Sequence, residues 1–327
     1  MQRKFNCLRL LVPALLLILF SSCSKQDKET KQGVKENQPE TESKEAPGSA
    51  GQKEIGSEGE LNYGEGRRIY RIDKNDLNSD GREELVVLSI STLNDDDRNS
   101  VQKFDMIEIF ANDSLKGKFV KRLSDTVDFA VDAQYTDLSG TGLKEVLVFT
   151  NSGGNSSVAS EGLFVYAMDS ASNIGLVKYF DSGAPKLVKA GKGNSFQIVV
   201  TDLFHGVMPM AHAVSYTGEI YEYDSEKLVL SNEKFPEYYD EKLRGLTEKY
   251  KAVKRKVEMG MQAVDMSYPL YREAAEVIVN YRAKGDLAGL RKFWEEEKES
   301  LKRNIPEDEF TDLSNFVGKI LPQVNNA

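Results

Sequence analysis

Asp76-Leu77-Asn78-Ser79-Asp80-Gly81-Arg82-Glu83-Glu84-Leu85-Val86-Val87-Leu88 is the stretch that decides the fold. Acids and an amide alternate ahead of a glycine, and an unbroken apolar run follows. Asp/Asn/Gly punctuation before a β-branched run is a turn feeding a buried strand. Sixty-one residues later, Asp137-Leu138-Ser139-Gly140-Thr141-Gly142-Leu143-Lys144-Glu145-Val146-Leu147-Val148-Phe149 repeats the first acid, the glycine, the second acid and the apolar run without a gap. A third, worn copy is Lys189-Ala190-Gly191-Lys192-Gly193-Asn194-Ser195-Phe196-Gln197-Ile198-Val199-Val200.

Each copy is followed by two more strand-like stretches: Met106–Phe110 and Lys118–Lys121, Leu163–Tyr166 and Gly175–Lys178, Ile220–Tyr223 and Lys227–Leu230. A further strand leads into each loop, as in Arg68–Ile72. About four strands per 50–60 residues is the size of a propeller blade. Residues 61–235 are therefore expected to form an antiparallel β-repeat, propeller-like but open, of about three blade units. Three blades are too few to close a ring, so the array must be capped or completed.

Residues 236–327 change period. Tyr239, Leu243, Leu246, Tyr250, Val253 and Val257 recur at spacings of four and three, a single apolar helix seam. A second helix is expected from about Pro269 to Gly285, a third after Asp286, and a fourth opening at Pro306. The fold class is α+β, with this helical tail the natural cap on the β array. The seam alternatively suits a partner helix.

The chain has 327 residues and a formal charge of −9, from 43 basic and 52 acidic side chains. That balance argues against nucleic acid as the main partner, because phosphate binding needs net basic surface. Arg3, Lys4 and Arg9 precede the apolar run Leu10–Phe20, which is too short to span a bilayer and reads as a secretory signal. Residues 24–60 are rich in Lys, Glu, Gln, Ser and Gly, with Val34, Ala46, Ala50 and Ile55 as the apolar residues. Such a composition cannot bury a core and reads as a tether, reaching at most about 130 Å and averaging roughly 30–35 Å as a coil.

Two resemblances sharpen this reading. Phe20-Ser21-Ser22-Cys23 resembles the end of a bacterial lipoprotein signal, with Phe20 where leucine is most usual. It implies a signal peptide over 1–22, diacylation of Cys23 (palmitate-type chains), a membrane partner reached through that anchor, and an outer-membrane address facing either the cell surface or the periplasm. Cleavage would remove three basic residues and no acid, taking the charge from −9 to 40 − 52 = −12, and would remove Cys7, leaving no free thiol. The first loop resembles the FG-GAP/VCBS repeat, familiar from integrin α chains, whose blades carry a calcium loop before a strand. The resemblance spans about 175 residues. It implies a structural calcium ion held by Asp76, Asn78, Asp80, the Arg82 carbonyl and Glu84, a hard-cation oxygen set. The second loop retains Asp137 and Glu145 but has Ser139 and Thr141 between them, and the third has no acid. Gly183-Ala184-Pro185 matches the family's tripeptide. An EF-hand would need glutamate where Val87 stands. The same Asp/Asn/Gly residues also suit metal-free turns.

No catalytic constellation stands out. His205 to His212, with Met208 and Met210, could ligate copper but equally anchors a loop. Asn151–Ser157 is Gly-rich without a phosphate-loop lysine, and Asn94–Asp97 reads as a solvated turn. The expected function is non-enzymatic binding or scaffolding of a protein or glycan partner. The alternatives are a hydrolase or carbohydrate-active protein using acids such as Asp95 and Asp97, and an oligomeric envelope subunit.

Overall fold

The computed structural model describes residues 54–321, except 62–63, 94–100, 114, 116, 170, 190–194, 204–214, 225–226 and 262–266. The β strands are β1 (Glu54–Ile55), β2 (Arg67–Asn75), β3 (Glu84–Ser91), β4 (Phe104–Asp113), β5 (Lys118–Thr136), β6 (Glu145–Asn151), β7 (Glu161–Met168), β8 (Ile174–Phe180), β9 (Lys186–Val188), β10 (Gln197–Leu203), β11 (Ser215–Asp224) and β12 (Lys227–Leu230). A one-turn helix, α1 (Ser157–Ser160), sits between β6 and β7. The tail holds α2 (Pro236–Glu258), α3 (Ser267–Lys284), α4 (Leu287–Asn304) and α5 (Glu307–Ile320).

All pairings are antiparallel between chain neighbours, apart from β1, which lies on β5. An eight-stranded sheet runs β2-β3-β4-β5-β6-β7-β8 with β1 off this path, and a four-stranded sheet runs β12-β11-β10-β9. Among the described residues these sheets close no barrel and no propeller ring. The expectation of separate strands at Lys118–Lys121 and before Asp137 is replaced by one strand. The first part of β5 pairs with β4 through Lys118↔Asp113 to Thr126↔Met106, and its second part pairs with β6 through Asp132↔Phe149 to Thr136↔Glu145. Register shifts near Ala130, and a left-handed Phe129 (φ 58°), mark where the strand changes partner. Bulges bend strands in this way.

The chain thus makes three four-stranded meanders: β2 to the start of β5, the end of β5 to β8, and β9 to β12. Alternation along each strand sorts side chains into layers. In the first meander Val86 and Leu88 share a buried cluster with Val146 and Val148 of the second, while Leu85 and Val87 face Ile55 and Leu61. In the second, Leu147 and Val165 pack with Ile198 and Val200 of the third. In the third, Val199 and Ile220 face Phe235 and Tyr239 of the helical region. The order of layers is N-terminal segment, three meanders, helices.

The β body therefore begins at Glu54, earlier than residue 61. Ile55, grouped by composition with the tether, is 3% exposed and covers one end of the stack. The other end is covered by the helices: Tyr239 donates from its hydroxyl to the Gly218 carbonyl at 2.6 Å, and Thr217 Oγ1 donates to Asn280 Oδ1 at 3.1 Å.

Helix boundaries follow local chemistry. Pro236 occupies the first turn of α2, where a missing N–H costs nothing. Gly285 (φ 77°) ends α3, and Asp286 caps α4 by accepting from Gly289 N at 2.8 Å. Glu307, Asp308 and Glu309 fill the first turn of α5, the positive end of its dipole. The α2 seam of Leu243, Tyr250 and Val257 is buried against Leu270, Ile278 and Phe293 of the same chain. Among the described residues no helix is long and apolar enough to cross a membrane.

Candidate metal centre

The first loop, Asp76–Glu83, joins β2 to β3; the second, Asp137–Lys144, joins β5 to β6; and the third, Lys189–Phe196, joins β9 to β10. Each connects the first two strands of its meander at the same length. Residues 190–194, and with them most of the third loop, lie outside the described residues.

The first two loops share one backbone. Left-handed residues stand at equivalent places, Ser79 (φ 58°) and Gly81 (φ 83°) in the first, Gly140 (φ 77°) and Gly142 (φ 97°) in the second. Asp76 accepts from Asp80 N at 3.2 Å and Gly81 N at 3.0 Å. Asp137 accepts from the equivalent Thr141 N at 3.1 Å and Gly142 N at 2.7 Å, and from Gly140 N at 2.6 Å. The leading aspartate is therefore first of all a turn-closing acceptor.

The closing glutamate is equally consistent. Glu84 accepts from Leu77 N at 2.9 Å and Glu145 from Leu138 N at 2.8 Å, with only 1% and 2% of each residue exposed. Burial pushes Glu84 up to about 7; Asp80 and Asp76 push the same way, while the Leu77 N–H opposes. Burial likewise raises Glu145 to about 7, with Asp137 adding to it and the Leu138 N–H opposing. Gln197, 2% exposed, stands at the third equivalent position without a charge.

These loops also join the meanders. The Leu77 carbonyl accepts from Lys144 N at 2.8 Å, and the Leu138 carbonyl accepts from Phe196 N at 3.2 Å. One leucine peptide in each loop is thus held by its own glutamate on the N–H side and by the next meander on the C=O side. Two first-loop side chains cross the same junction: Ser79 Oγ donates to the Gly142 carbonyl, and Asn78 Nδ2 donates to Ser172 Oγ at 3.2 Å.

The sequence reading missed the roles of Leu77, Leu138 and Ser172. The leucines carry a signal, since both follow the first acid of their copies, but as apolar residues they read as core. Ser172 belongs to no repeat and carries none.

What separates the loops is the middle of the donor set. Asn78 Oδ1 accepts from Asp80 N at 3.1 Å, and Asp80 Oδ1 accepts from Arg82 N at 2.8 Å. The second loop has Ser139 and Thr141, whose hydroxyls bond each other at 2.6 Å. Asp76, Asp80 and Glu84 bring three carboxylates into one turn, and Asn78 and the Arg82 carbonyl add neutral oxygens. This is oxygen chemistry suited to a hard divalent cation. The carboxylates are turned to backbone amides, and among the described residues no three His, Cys, Asp or Glu side chains converge as a metal-binding group.

Other candidates fall differently. Cys23, Asn94–Asp97 and the His205–His212 segment lie outside the described residues. Asn151 Oδ1 accepts from Gly153 N at 2.8 Å, so the Gly-rich segment begins as a local turn. Gly183 (φ 95°) sits between meanders, with its N–H on the Val158 carbonyl at 2.6 Å and its carbonyl accepting from Thr201 N at 2.7 Å. Compared with protein-family models, with curated proteins and with solved structures, the chain matches none.

Proposed function

We propose that the chain is a lipid-anchored envelope protein whose body is an open, propeller-like stack of three blades, used for non-enzymatic binding or scaffolding and stiffened by one calcium ion. The observation that carries the scaffold reading is that the chain covers both ends of its own stack, with Ile55 and Leu61 at one end and Phe235 and Tyr239 at the other. Such an array needs no second chain to bury its core, and among the described residues β8 and β12 each pair with one strand only. The leader, Cys23 and the tether support an outer-membrane anchor, which several acyl chains would make effectively permanent. Labelled palmitate should enter the chain in cells and be lost in Cys23→Ala; incorporation unchanged in that variant would defeat the anchor.

Calcium would be held by Asp76, Asn78, Asp80 and the Arg82 carbonyl, with Glu84 closing the set, and would supply charge neutralisation at the junction of the first two blades. Extracellular calcium modules bind at about 10⁻⁴–10⁻³ M, so at tenfold excess over its dissociation constant the ion adds roughly 1.4 kcal/mol. Melting with calcium and with chelator tests this. The expected result is a higher midpoint with calcium in the wild type and none in Asp80→Ala; coincident melts in the wild type would defeat it.

A further inference from the structure

Several buried or partly buried rings in this protein lie under the chain's own cations. Lys121 sits 5.6 Å from the Phe110 ring, Lys178 lies 5.1 Å from Phe180 and 4.7 Å from Tyr221, Lys189 lies 4.8 Å from Phe196, and Arg282 lies 5.9 Å from Phe316. The two most exposed rings among the described residues, Phe129 (47%) and Tyr179 (46%), have no such cation. Phe129 stands in the left-handed region at φ 58°, a costly place for a bulky exposed side chain. Tyr179 stacks on Phe164 with centroids 4.0 Å apart. Burial, then Asp181 and then Asp128, hold its hydroxyl above the usual tyrosine range, so both carboxylates act on this ring. Neither aspartate forms an ion pair among the described residues. Asp181 Oδ1 accepts from Ser182 Oγ at 3.0 Å, and rings beside carboxylates without an ion-pair partner form a surface that favours a cation.

The outer edge of the strand that carries Tyr179 also meets no further strand among the described residues. Among the described residues β8 is the last strand of its sheet and pairs with β7 alone. Leu176 on that strand is 47% exposed. An open edge accepts an added strand, whose side chains then read the neighbouring surface.

We propose that the free edge of β8, with Phe129, Tyr179, Asp128 and Asp181, docks an extended, lysine- or arginine-bearing polypeptide segment of a partner protein. The segment adds as a strand and seats a cationic side chain over Tyr179 between the two aspartates. This surface is independent of the first loop, so it stands whether or not calcium binds there.

The test uses the full chain in detergent micelles and a fluorescent peptide of alternating Arg and Thr, followed by anisotropy. Phe129→Gly with Tyr179→Ser should weaken binding about tenfold, within the range of a lost interface anchor. Glycine suits the backbone at 129, so an unchanged or raised melting midpoint shows that the fold survives. Asp128→Asn with Asp181→Asn should weaken binding similarly and flatten its salt dependence. Glu295→Gln with Glu299→Gln on α4 removes the same charge elsewhere and should leave affinity within about twofold. A backbone N-methylated peptide, unable to pair, should also bind about tenfold more weakly. Equal weakening by the α4 pair would show diffuse attraction to an acidic protein and overturn the proposal. Undiminished binding of the N-methylated peptide, self-association through β8, or capture by phosphatidylcholine vesicles in place of the peptide would each overturn it too.

Discussion

The first and second loops have the same backbone and different chemistry. Asp76 and Asp137 close equivalent turns, and Glu84 and Glu145 hold equivalent leucine amides. Only the first loop adds Asn78 and Asp80. The shared residues are therefore sufficient to build the turn, and the unshared ones are what a cation would need. Two of the five proposed ligands, Asp76 and Glu84, also build the turn, so the second loop keeps the architecture without Asn78 and Asp80.

The severest test of equivalence concerns the leucines. Leu77 is fully buried and Leu138 is 1% exposed, each in the core of its own meander junction. Leu77→Ala and Leu138→Ala should each cost about 2–5 kcal/mol, measured by denaturant unfolding. A large difference between them would break the comparison at the packing level. Next come the aspartates. Asp76→Ala and Asp137→Ala each strip acceptors from turn amides and should cost about 1–2 kcal/mol. Calcium should then separate them, with the Asp137→Ala midpoint still rising on calcium addition and the Asp76→Ala midpoint unmoved. Identical calcium responses would erase the proposed difference between the loops.

A gain of function sharpens the same contrast. Ser139→Asn with Thr141→Asp gives the second loop the middle oxygens of the first, on a backbone already in the right turn. Titration calorimetry should show one added calcium site and an added stabilisation of roughly 1.4 kcal/mol at tenfold excess over its dissociation constant. No added site would mean that ligation depends on more than this donor set.

The first two loops were legible because Asp, Asn and Gly dictate a local turn whatever lies around them. The four helices were legible too, since the Tyr239–Val257 seam marks the first and Pro269, Gly285, Asp286 and Pro306 punctuate the others. The long β5 was not: the bend at Phe129 carries no glycine, and a phenylalanine gives no notice of a left-handed residue. Ile55 was hidden in a polar segment because one buried side chain and a two-residue strand leave no periodicity. The layering was half legible. Leu85–Leu88 announces a strand covered on both faces, but which meander covers each face is decided by contacts far away in the chain. The surface proposed for docking on β8 was illegible for the same reason, because Phe129 and Tyr179 belong to different repeats.

The smallest expected effect concerns the glutamates and requires calcium to be absent. Glu84 and Glu145 are both raised to about 7 in the folded chain, from an ordinary 4.5. Between those values the native state keeps protons that the unfolded chain has released. Stability therefore falls as pH rises through this window, is fully present below about 4.5, and is lost above the folded value. The melting midpoint should drop by a few degrees between about pH 5 and pH 8, the scale of a kcal/mol-sized change. Glu145→Gln makes the second meander resemble the third, where the buried Gln197 stands at the equivalent position, and should flatten part of that slope without touching the calcium response. Glu84→Gln should flatten a similar part while weakening the response to calcium, since the same carboxylate closes the proposed ligand set. If the two variants alter the calcium response equally, Glu84 is only the turn acceptor that Glu145 is, and the first loop's extra function rests on Asn78 and Asp80 alone.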